Sequence, residues 1–303
     1  MSVLAGALVD SPVAGVDYHT RGEAGVTDVG GTFRYRPGET ITFSIGDTRL
    51  GSGRASAFMT PVDFFSPPGS PLDDRRVVNC ARLLQSFGPV DDSVRAVVAA
   101  AGPIDFDVPE EAFADQAGVA AVVDKLGLTL RPVVVARNHL RRSIAGIRKL
   151  SDVKVPLRDD SYLLADVYRP VAEGRYPAIV RMSPYGRAFG NGSVSNEEDR
   201  LAAEEREHAW FEGDRAGLPP LVRYAENAVS ASAADWVPRG YVLVRVDCRG
   251  VGLTPGELAP FSEQEALDYY DAIQWTASQP WCDGGVGLLG ASYAATNQWT
   301  VAA

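Results

Sequence analysis

Three short apolar segments in the second half of the chain constrain its fold more than any other feature. Each ends in turn residues, and they are "PAIVRMSPYG" (177–186), "GYVLVRVDCRG" (240–250) and "GVGLLGASY" (285–293). Apolar runs of this length, bounded by turns, are typical of parallel strands buried on both faces. Between the second and third runs, a capping box of Ser262 and Glu265 opens a predicted helix that Pro280 ends. This order of strands and helices predicts an α/β fold with a mostly parallel sheet and crossover helices.

The third apolar run leads into a serine flanked by small residues, in the stretch "GLLGASYAAT" (287–296). A nucleophilic serine needs its hydroxyl lifted from the sheet on a sharp strand-to-helix turn, with backbone N–H groups nearby to hold an oxyanion. Small neighbours are required because the strand and the helix pass close to each other. The pattern therefore predicts a nucleophile elbow with Ser292 as the candidate catalytic residue. The alternative is that Ser292 is only a small residue in a tight turn.

The pattern of apolar, polar and turn residues divides the chain into three parts. Residues 1–65 alternate like short strands with frequent turns, and "GGTFRYRPGETITFSIG" predicts two strands joined at Pro37-Gly38. Residues 66–150 are predicted to form a helical appendage and connector, with one helix in "RRVVNCARLLQSFG" and another from Pro109 to Gly127. Residues 151–303 open with a hairpin that turns at Asp159-Asp160 and continue into the α/β pattern.

Composition excludes several classes of protein. The 303 residues are 46% hydrophobic and 22% charged, which is typical of a globular chain, and the net charge of −10 argues against a nucleic-acid partner. No stretch approaches the 18 apolar residues of a membrane span, and the N-terminus lacks the basic and apolar regions of a signal peptide. Three scattered cysteines argue against structural zinc and leave one disulfide open.

From about residue 152 onwards, the chain resembles the Xaa-Pro dipeptidyl-peptidase-like (S15) hydrolases, which include the cocaine esterase and α-amino-acid ester hydrolase group. The motifs that carry the resemblance occur in the family's order: "VPLRDDSYLLADVYRP", "RMSPYGR", "WVPRGYVLVRVDCRGVGLTPGE" and "EALDYYDAIQWTASQPWCDGGVGLLGASY". The resemblance implies a partial α/β-hydrolase fold, the N-terminal half of a catalytic domain. Its expected substrates are small-molecule esters, amides or short peptides, and dipeptidyl-peptidase, ester hydrolase and β-lactam acylase activities stay open.

The resemblance also implies roles for three residues. Ser292 would be the nucleophile of an acyl-enzyme mechanism, the backbone N–H of Tyr293 one oxyanion donor, and the Tyr185 phenol the other. This mechanism needs no cofactor, and no metal ligands are assigned. The family has glycine three residues after the serine, where this chain has Ala295. Asp247 and Arg249 are interpreted as a pair that holds the following loop, Asp283 as a turn residue and Cys282 as a buried apolar residue.

A serine nucleophile needs a histidine base held by a carboxylate, and in this fold both follow the serine in the chain. The three histidines, His19, His139 and His208, all precede Ser292. We therefore interpret the sequence as a C-terminally truncated hydrolase that is inactive by itself.

The first 90 residues resemble a carboxypeptidase-regulatory-like β-module of bacterial surface and secreted proteins. That resemblance implies binding or attachment and export of the full-length protein to the periplasm or medium. It supports an alternative function for the whole chain: a surface-associated binding or scaffold protein whose hydrolase half is degenerate.

Overall fold

The computed structural model describes residues 2–10, 14–65, 72, 74–88, 90–188, 193–212 and 231–302. The chain divides into two compact units, Met1–Ile144 (unit 1) and Ala145–Ala303 (unit 2). The first strand of unit 2 begins at Ile147, a few residues before the hydrolase-like part that the sequence predicts from 151.

Unit 1 begins with seven short strands in two small sheets. The strands are β1 (Leu4–Leu8), β2 (Asp17–His19), β3 (Ala24–Val26), β4 (Thr32–Tyr35), β5 (Thr40–Ile45), β6 (Thr48–Arg54) and β7 (Phe58–Met59). Three form a sheet in the order β4-β1-β7, and the other four a sheet in the order β3-β2-β5-β6. The two strands predicted around Pro37-Gly38 are therefore β4 and β5, but they belong to different sheets.

The described residues of unit 1 also form five helices: α1 (Pro61–Phe65), α2 (Arg75–Ser86), α3 (Asp92–Ala101), α4 (Ala117–Leu126) and α5 (Val133–Ile144). One apolar core joins both sheets to α2, α3 and α4, through buried side chains such as Phe33, Phe43, Leu83, Val98 and Val122. The basic segment "RNHLRRSIAGIRK" (137–149) falls in the part of the sequence predicted as a connector. It lies in α5 and the start of β8.

The helix predicted from Pro109 was wrong at its start. Residues 109–116 form turns, and α4 begins only at Ala117, although it ends before Gly127 as predicted. The physical reason is the Gln116 side chain, which exchanges hydrogen bonds of 3.0 and 2.8 Å with the backbone N–H and C=O of Asp105. These bonds hold the chain in an extended conformation at Gln116, so the helix starts after it.

Unit 2 is built on one five-stranded sheet of β8 (Ile147–Pro156), β9 (Tyr162–Pro170), β10 (Tyr176–Ser183), β11 (Val242–Asp247) and β12 (Cys282–Leu288). Its order is β12-β10-β11-β9-β8. The hairpin partners β8 and β9 are antiparallel, β9 is antiparallel to β11, and β10 is parallel to both β11 and β12. The predicted hairpin and the three parallel strands are confirmed, but the prediction that β12 is buried on both faces was wrong, because β12 is an edge strand and most of its residues are exposed or half-buried.

Helices cover both faces of this sheet, as the alternation of strands and helices predicts. They are α6 (Glu197–Glu212), α7 (Ala233–Trp236) with a following 3-10 turn, α8 (Glu263–Ser278) and α9 (Tyr293–Ala302). One face packs its valines against α8 through Tyr269 and Ala272, and the other packs Ile179 and Leu243 against α7. Unit 2 is thus the partial α/β-hydrolase fold that the sequence predicts, preceded by a β-module with helices.

Two other features of the chain bear on function. Cys80, Cys248 and Cys282 are buried free thiols, so the disulfide that the sequence left open is not formed. No helix in the described part of the chain is both long and apolar enough to span a bilayer.

Candidate active site

Ser292 occupies the turn between the last strand of the sheet and the helix that follows it. β12 ends at Leu288, α9 begins at Tyr293, and Ser292 is exposed between them. Its φ is +52°, in the left-handed region that residues other than glycine rarely adopt. The Ser292 carbonyl accepts the backbone N–H groups of Ala295 and Thr296, both at 3.0 Å, and so begins the helix. This is the sharp turn that the sequence predicts.

The strand and the helix approach each other most closely at Gly290. A Cβ atom on Gly290 would lie 2.3 Å from the carbonyl oxygen of Ala294, the fully buried second residue of α9. Below that contact, the Asn297 side-chain amide donates to the Met182 carbonyl of β10 at 3.1 Å. Glycine is therefore required at 290. The tight contact involves Ala294 rather than Ala295, which is half-buried.

Replacing Gly290 with alanine is expected to lower the free energy of unfolding of unit 2 by about 1–3 kcal/mol, because the added methyl group must displace backbone. All five tryptophans, from Trp210 to Trp299, lie in unit 2, so their fluorescence during urea unfolding reports on this unit. Gly287→Ala is the matched control, since its Cβ would meet only the Ala178 oxygen, at 3.9 Å. Equal stability of the two variants would contradict the prediction.

Tyr185 lies on the loop that follows β10 and reaches the residue after Ser292. Its backbone N–H donates to the Ser183 hydroxyl at 3.0 Å, and the Arg181 guanidinium donates to the Gly186 carbonyl at 2.9 Å. The Tyr185 ring meets the Tyr293 ring edge to face, with centroids 6.0 Å apart, and 41% of Tyr185 is exposed. The structure thus brings together the three candidate residues Tyr185, Ser292 and Tyr293.

The Tyr293 side chain is held by a buried glutamate of α8. Its hydroxyl donates to both carboxylate oxygens of Glu265, at 2.8 and 2.9 Å, and its ring stacks on Phe261 with centroids 4.3 Å apart. Burial, followed by the bond to Glu265, raises the pKa of the Tyr293 phenol. The sequence placed Glu265 in a capping box. Ser262 does cap the helix, but the Glu265 carboxylate accepts the N–H of Phe261 instead.

Arg187, two residues after Tyr185, anchors the same loop in the protein interior. Its guanidinium, 1% exposed, contacts Asp166 of β9 at 3.0 Å and also contacts Asp152 and Asp247. Burial raises the pKa of Asp247 to about 7, although the charge of Arg187 opposes the rise. No local sequence signal identified Arg187, because its three carboxylates come from three different strands or strand ends.

The predicted pairing of Asp247 with Arg249 was wrong. Asp247 points to the sheet face that holds Arg187, whereas Arg249 reaches α8 and the hairpin turn. Its guanidinium contacts Asp268 at 2.8 Å and Asp159 at 2.9 Å. Arg249 therefore does hold its loop, but through other carboxylates.

Comparison with known proteins finds similar sequences for unit 2. Residues 159–303 match the family model described as X-Pro dipeptidyl-peptidase (S15 family). We call these residues the S15 segment. The chain is 32% identical over 152 residues to a cocaine esterase of Rhodococcus sp. (strain MB1 Bresler), covering 50% of this chain and 21% of that protein. It is 28% identical over 145 residues to a putative Xaa-Pro dipeptidyl-peptidase of Bacillus anthracis, covering 43% of this chain and 22% of that protein.

A solved structure of a CocE/NonD family hydrolase from Staphylococcus aureus matches with a TM-score of 0.40 and 30% identity, covering 52% of this chain and 25% of that one. The S15 segment thus matches one part of longer relatives. The chain spans 21% of the length of the cocaine esterase, and similar shares of the other curated relatives it matches.

Two of the three histidines of the chain lie in unit 1, and the third lies in unit 2 but away from Ser292. His19 is in β2, and His139 in α5 pairs with buried Asp10 at 2.9 Å, both within unit 1. His208 lies on α6 one turn after Glu204, whose carboxylate is 3.8 Å from Lys149 of β8. β8 and β12 are opposite edges of the sheet, four strand spacings or about 19 Å apart. This surface of α6 is therefore at the edge far from Ser292.

The remaining sequence candidates in the S15 segment have structural roles. Asp283 accepts the N–H of Gly285 at 2.8 Å in a local turn, and Cys282 is fully buried. Within the described ranges, no group of three or more histidine, cysteine or acidic residues is arranged to hold a metal ion.

Proposed function

We propose that unit 2 carries the nucleophile and the oxyanion hole of a serine hydrolase that cleaves ester or amide bonds through an acyl-enzyme. The observation that carries the proposal is the exposed Ser292 with a φ of +52° at a strand-to-helix turn. A strained, exposed serine at such a turn is the geometry of a nucleophile elbow. The match of residues 159–303 to the S15 family model supports the same chemistry.

The proposed reaction has two steps. The Ser292 hydroxyl attacks the substrate carbonyl carbon, its proton passes to a base, and the carbonyl oxygen becomes an oxyanion that accepts bonds from the Tyr293 N–H and the Tyr185 phenol. The oxyanion collapses to an acyl-serine as the alcohol or amine leaves with a proton. Water then attacks the carbonyl carbon of the acyl-serine, the bond to the Ser292 oxygen breaks, and the carboxylic acid leaves as the Ser292 hydroxyl is regenerated.

The proposed mechanism needs a general base beside Ser292, and the described residues of unit 2 place no histidine there. We propose that none of His19, His139 and His208 fills that role, because in this fold the base follows the serine in the chain, whereas all three precede Ser292. A polypeptide of these 303 residues alone is therefore expected to give no turnover of esters or peptides.

The proposed substrate class rests on the names of two relatives. One relative is a cocaine esterase and another a putative Xaa-Pro dipeptidyl-peptidase, so we propose a small-molecule ester, an amide or a short peptide as substrate. For unit 1, we propose an accessory module of the carboxypeptidase-regulatory kind, since its core is a cluster of its own, separate from that of the five-stranded sheet.

A fluorophosphonate probe with added imidazole tests the nucleophile without the missing base. Serine attack on phosphorus expels fluoride and forms a stable phosphonyl-serine, and imidazole accepts the proton that a histidine would take. We expect one adduct per chain, mapped by mass spectrometry to Ser292, and complete loss of the adduct in Ser292→Ala. Ser278→Ala, which removes an exposed hydroxyl at the end of α8, is the control and should label normally.

Two results would count against the proposal. An adduct that persists in Ser292→Ala, or no adduct in the unsubstituted chain at high imidazole, would favour the alternative of a binding or scaffold protein with a degenerate site. Ser292-dependent ester turnover without imidazole would instead show that the chain does supply a base.

A further inference from the structure

The backbone of Ser292 is strained and needs surrounding contacts to hold it. A residue other than glycine in the left-handed region is strained, and it persists only where neighbouring structure over-determines it. The contact at Gly290 fixes the strand side of the turn. On the helix side, the first residue is Tyr293, whose backbone N–H is the proposed oxyanion donor. Whatever holds Tyr293 therefore sets the direction of that N–H.

Glu265 is the group that holds the Tyr293 side chain. It is 6% exposed, and three donors from three segments converge on its carboxylate. They are the Tyr293 hydroxyl at 2.8 and 2.9 Å, the Phe261 N–H at 2.6 Å and the Cys248 thiol at 3.3 Å. No basic side chain in the described part of the chain pairs with it. An ionised carboxylate accepts hydrogen bonds only, so it matches a site that offers three donors.

The partners of Glu265 connect the site to its scaffold. Cys248 follows β11, and its backbone N–H donates to the Ser183 carbonyl at the end of β10, at 3.2 Å. Phe261, itself at a φ of +55°, stacks on the Tyr293 ring, and Tyr185 meets that ring from another side. One carboxylate therefore ties the elbow to the ends of two strands and to the start of α8.

We propose that Glu265 is a positioning residue, which holds the Tyr293 side chain so that the Tyr293 N–H and Ser292 keep the conformation needed for attack. The inference rests on the proposed function of Ser292, and Glu265 itself does not touch substrate. It acts through the Tyr293 hydroxyl. Removing either end of that bond should therefore have the same effect, and removing both should add little.

The test uses the 303-residue chain and four single variants. Glu265→Gln keeps the shape but presents an NH2 donor to groups that are themselves donors, and Tyr293→Phe removes the hydroxyl but keeps the ring stacking. Glu263→Gln and Tyr270→Phe are the controls, because both residues are exposed on α8 and neither contacts the elbow. The double variant of Glu265 and Tyr293 completes the cycle.

Two readouts are measured. One is the rate of imidazole-assisted phosphonylation of Ser292, which should fall about tenfold or more in both elbow variants, because small misplacements of reacting groups cost that much. The other is amide hydrogen exchange of the segment 289–297, which should speed up in both. The double variant should resemble either single variant, and the two controls should match the unsubstituted chain.

The outcomes separate this inference from the function on which it rests. If Ser292 labels but Glu265→Gln and Tyr293→Phe label at the normal rate, the positioning role is wrong and the nucleophile stands. Additive losses in the double variant would also overturn it, since they indicate two independent structural defects. If no chain labels, the proposed function fails, and unchanged hydrogen exchange at 289–297 would reject the positioning role separately.

Discussion

Replacing Arg187 with methionine is expected to lower the free energy of unfolding of unit 2 by about 3–5 kcal/mol. The guanidinium is 1% exposed and neutralises Asp166 and Asp247, whose side chains are 5% and 0% exposed. Methionine fills most of the volume but leaves Asp247 buried without an ion-pair partner among the described residues, while Asp166 keeps only Lys149, at 3.4 Å. Breaking a buried ion pair from one side is costly for that reason, whereas replacing all partners together need not be.

The loss should grow as the pH rises. Burial already raises the pKa of Asp247 to about 7, above the ordinary 3.8 of an aspartic acid, and removing Arg187 removes a charge that opposes this rise. A carboxyl group with a raised pKa in the folded state binds protons more tightly there than in the unfolded state, so stability falls as the pH increases above about 4. Arg187→Met should therefore be least damaging near pH 5 and most damaging near pH 8.

Urea unfolding followed by tryptophan fluorescence at both pH values measures this effect in unit 2. Arg239→Met is the control, because the Arg239 side chain is 65% exposed and its ion pair with Asp235 is long, at 3.9 Å. We expect the control to change stability by no more than about 0.5 kcal/mol. A loss of similar size in both variants, or no dependence on pH, would contradict the role given to the Arg187 cluster.

Replacing Tyr185 with phenylalanine is expected to slow imidazole-assisted phosphonylation of Ser292 by about 10²–10³-fold, the usual cost of one oxyanion donor. The substitution removes only the phenol oxygen. The Tyr185 N–H bond to Ser183 and the ring contact with Tyr293 use atoms that phenylalanine keeps. The fold should therefore be unaffected, and the loss should appear in the rate alone.

Labelling rates and unfolding curves of Tyr185→Phe should be compared with those of Tyr270→Phe. Tyr270 is 47% exposed on α8, and its ring lies under Arg158 at 5.5 Å, away from the elbow. Equal labelling rates for the two variants would exclude the Tyr185 phenol as an oxyanion donor. The second donor would then have to be sought elsewhere, for example in a backbone amide.

Local sequence was sufficient to predict the framework of unit 2. Buried parallel strands read as continuous apolar runs because both of their faces are covered, so β10 and β11 were visible as separate segments. β12 was visible by its place before the elbow, although most of its residues are exposed or half-buried. The elbow was visible because its sterics are local: Gly290, Ser292 and Ala294 lie within five residues, and Gly290 packs closely against Ala294. The same argument explains why the Ser262 cap was found.

The electrostatic parts of the site were not predictable in this way. Arg187 is separated in sequence from Asp166 by 21 residues, from Asp152 by 35 and from Asp247 by 60, so only the folded sheet brings them together. Glu265 was assigned to a helix cap, but its bond to Tyr293, 28 residues away, depends on how α8 and α9 pack. In unit 1, long-range bonds from Gln116 to Asp105 overrode a local helix signal at Pro109.

The order of strands in unit 2 also has a consequence for synthesis on the ribosome. β10 is made before both strands that flank it, since β11 and β12 end 64 and 105 residues after Ser183, at Asp247 and Leu288. At translation rates of about 5–20 residues per second, β10 waits about 5–20 s for its last neighbour. During that time its apolar side chains and unpaired backbone are exposed, so the nascent chain should need chaperone protection at this stage.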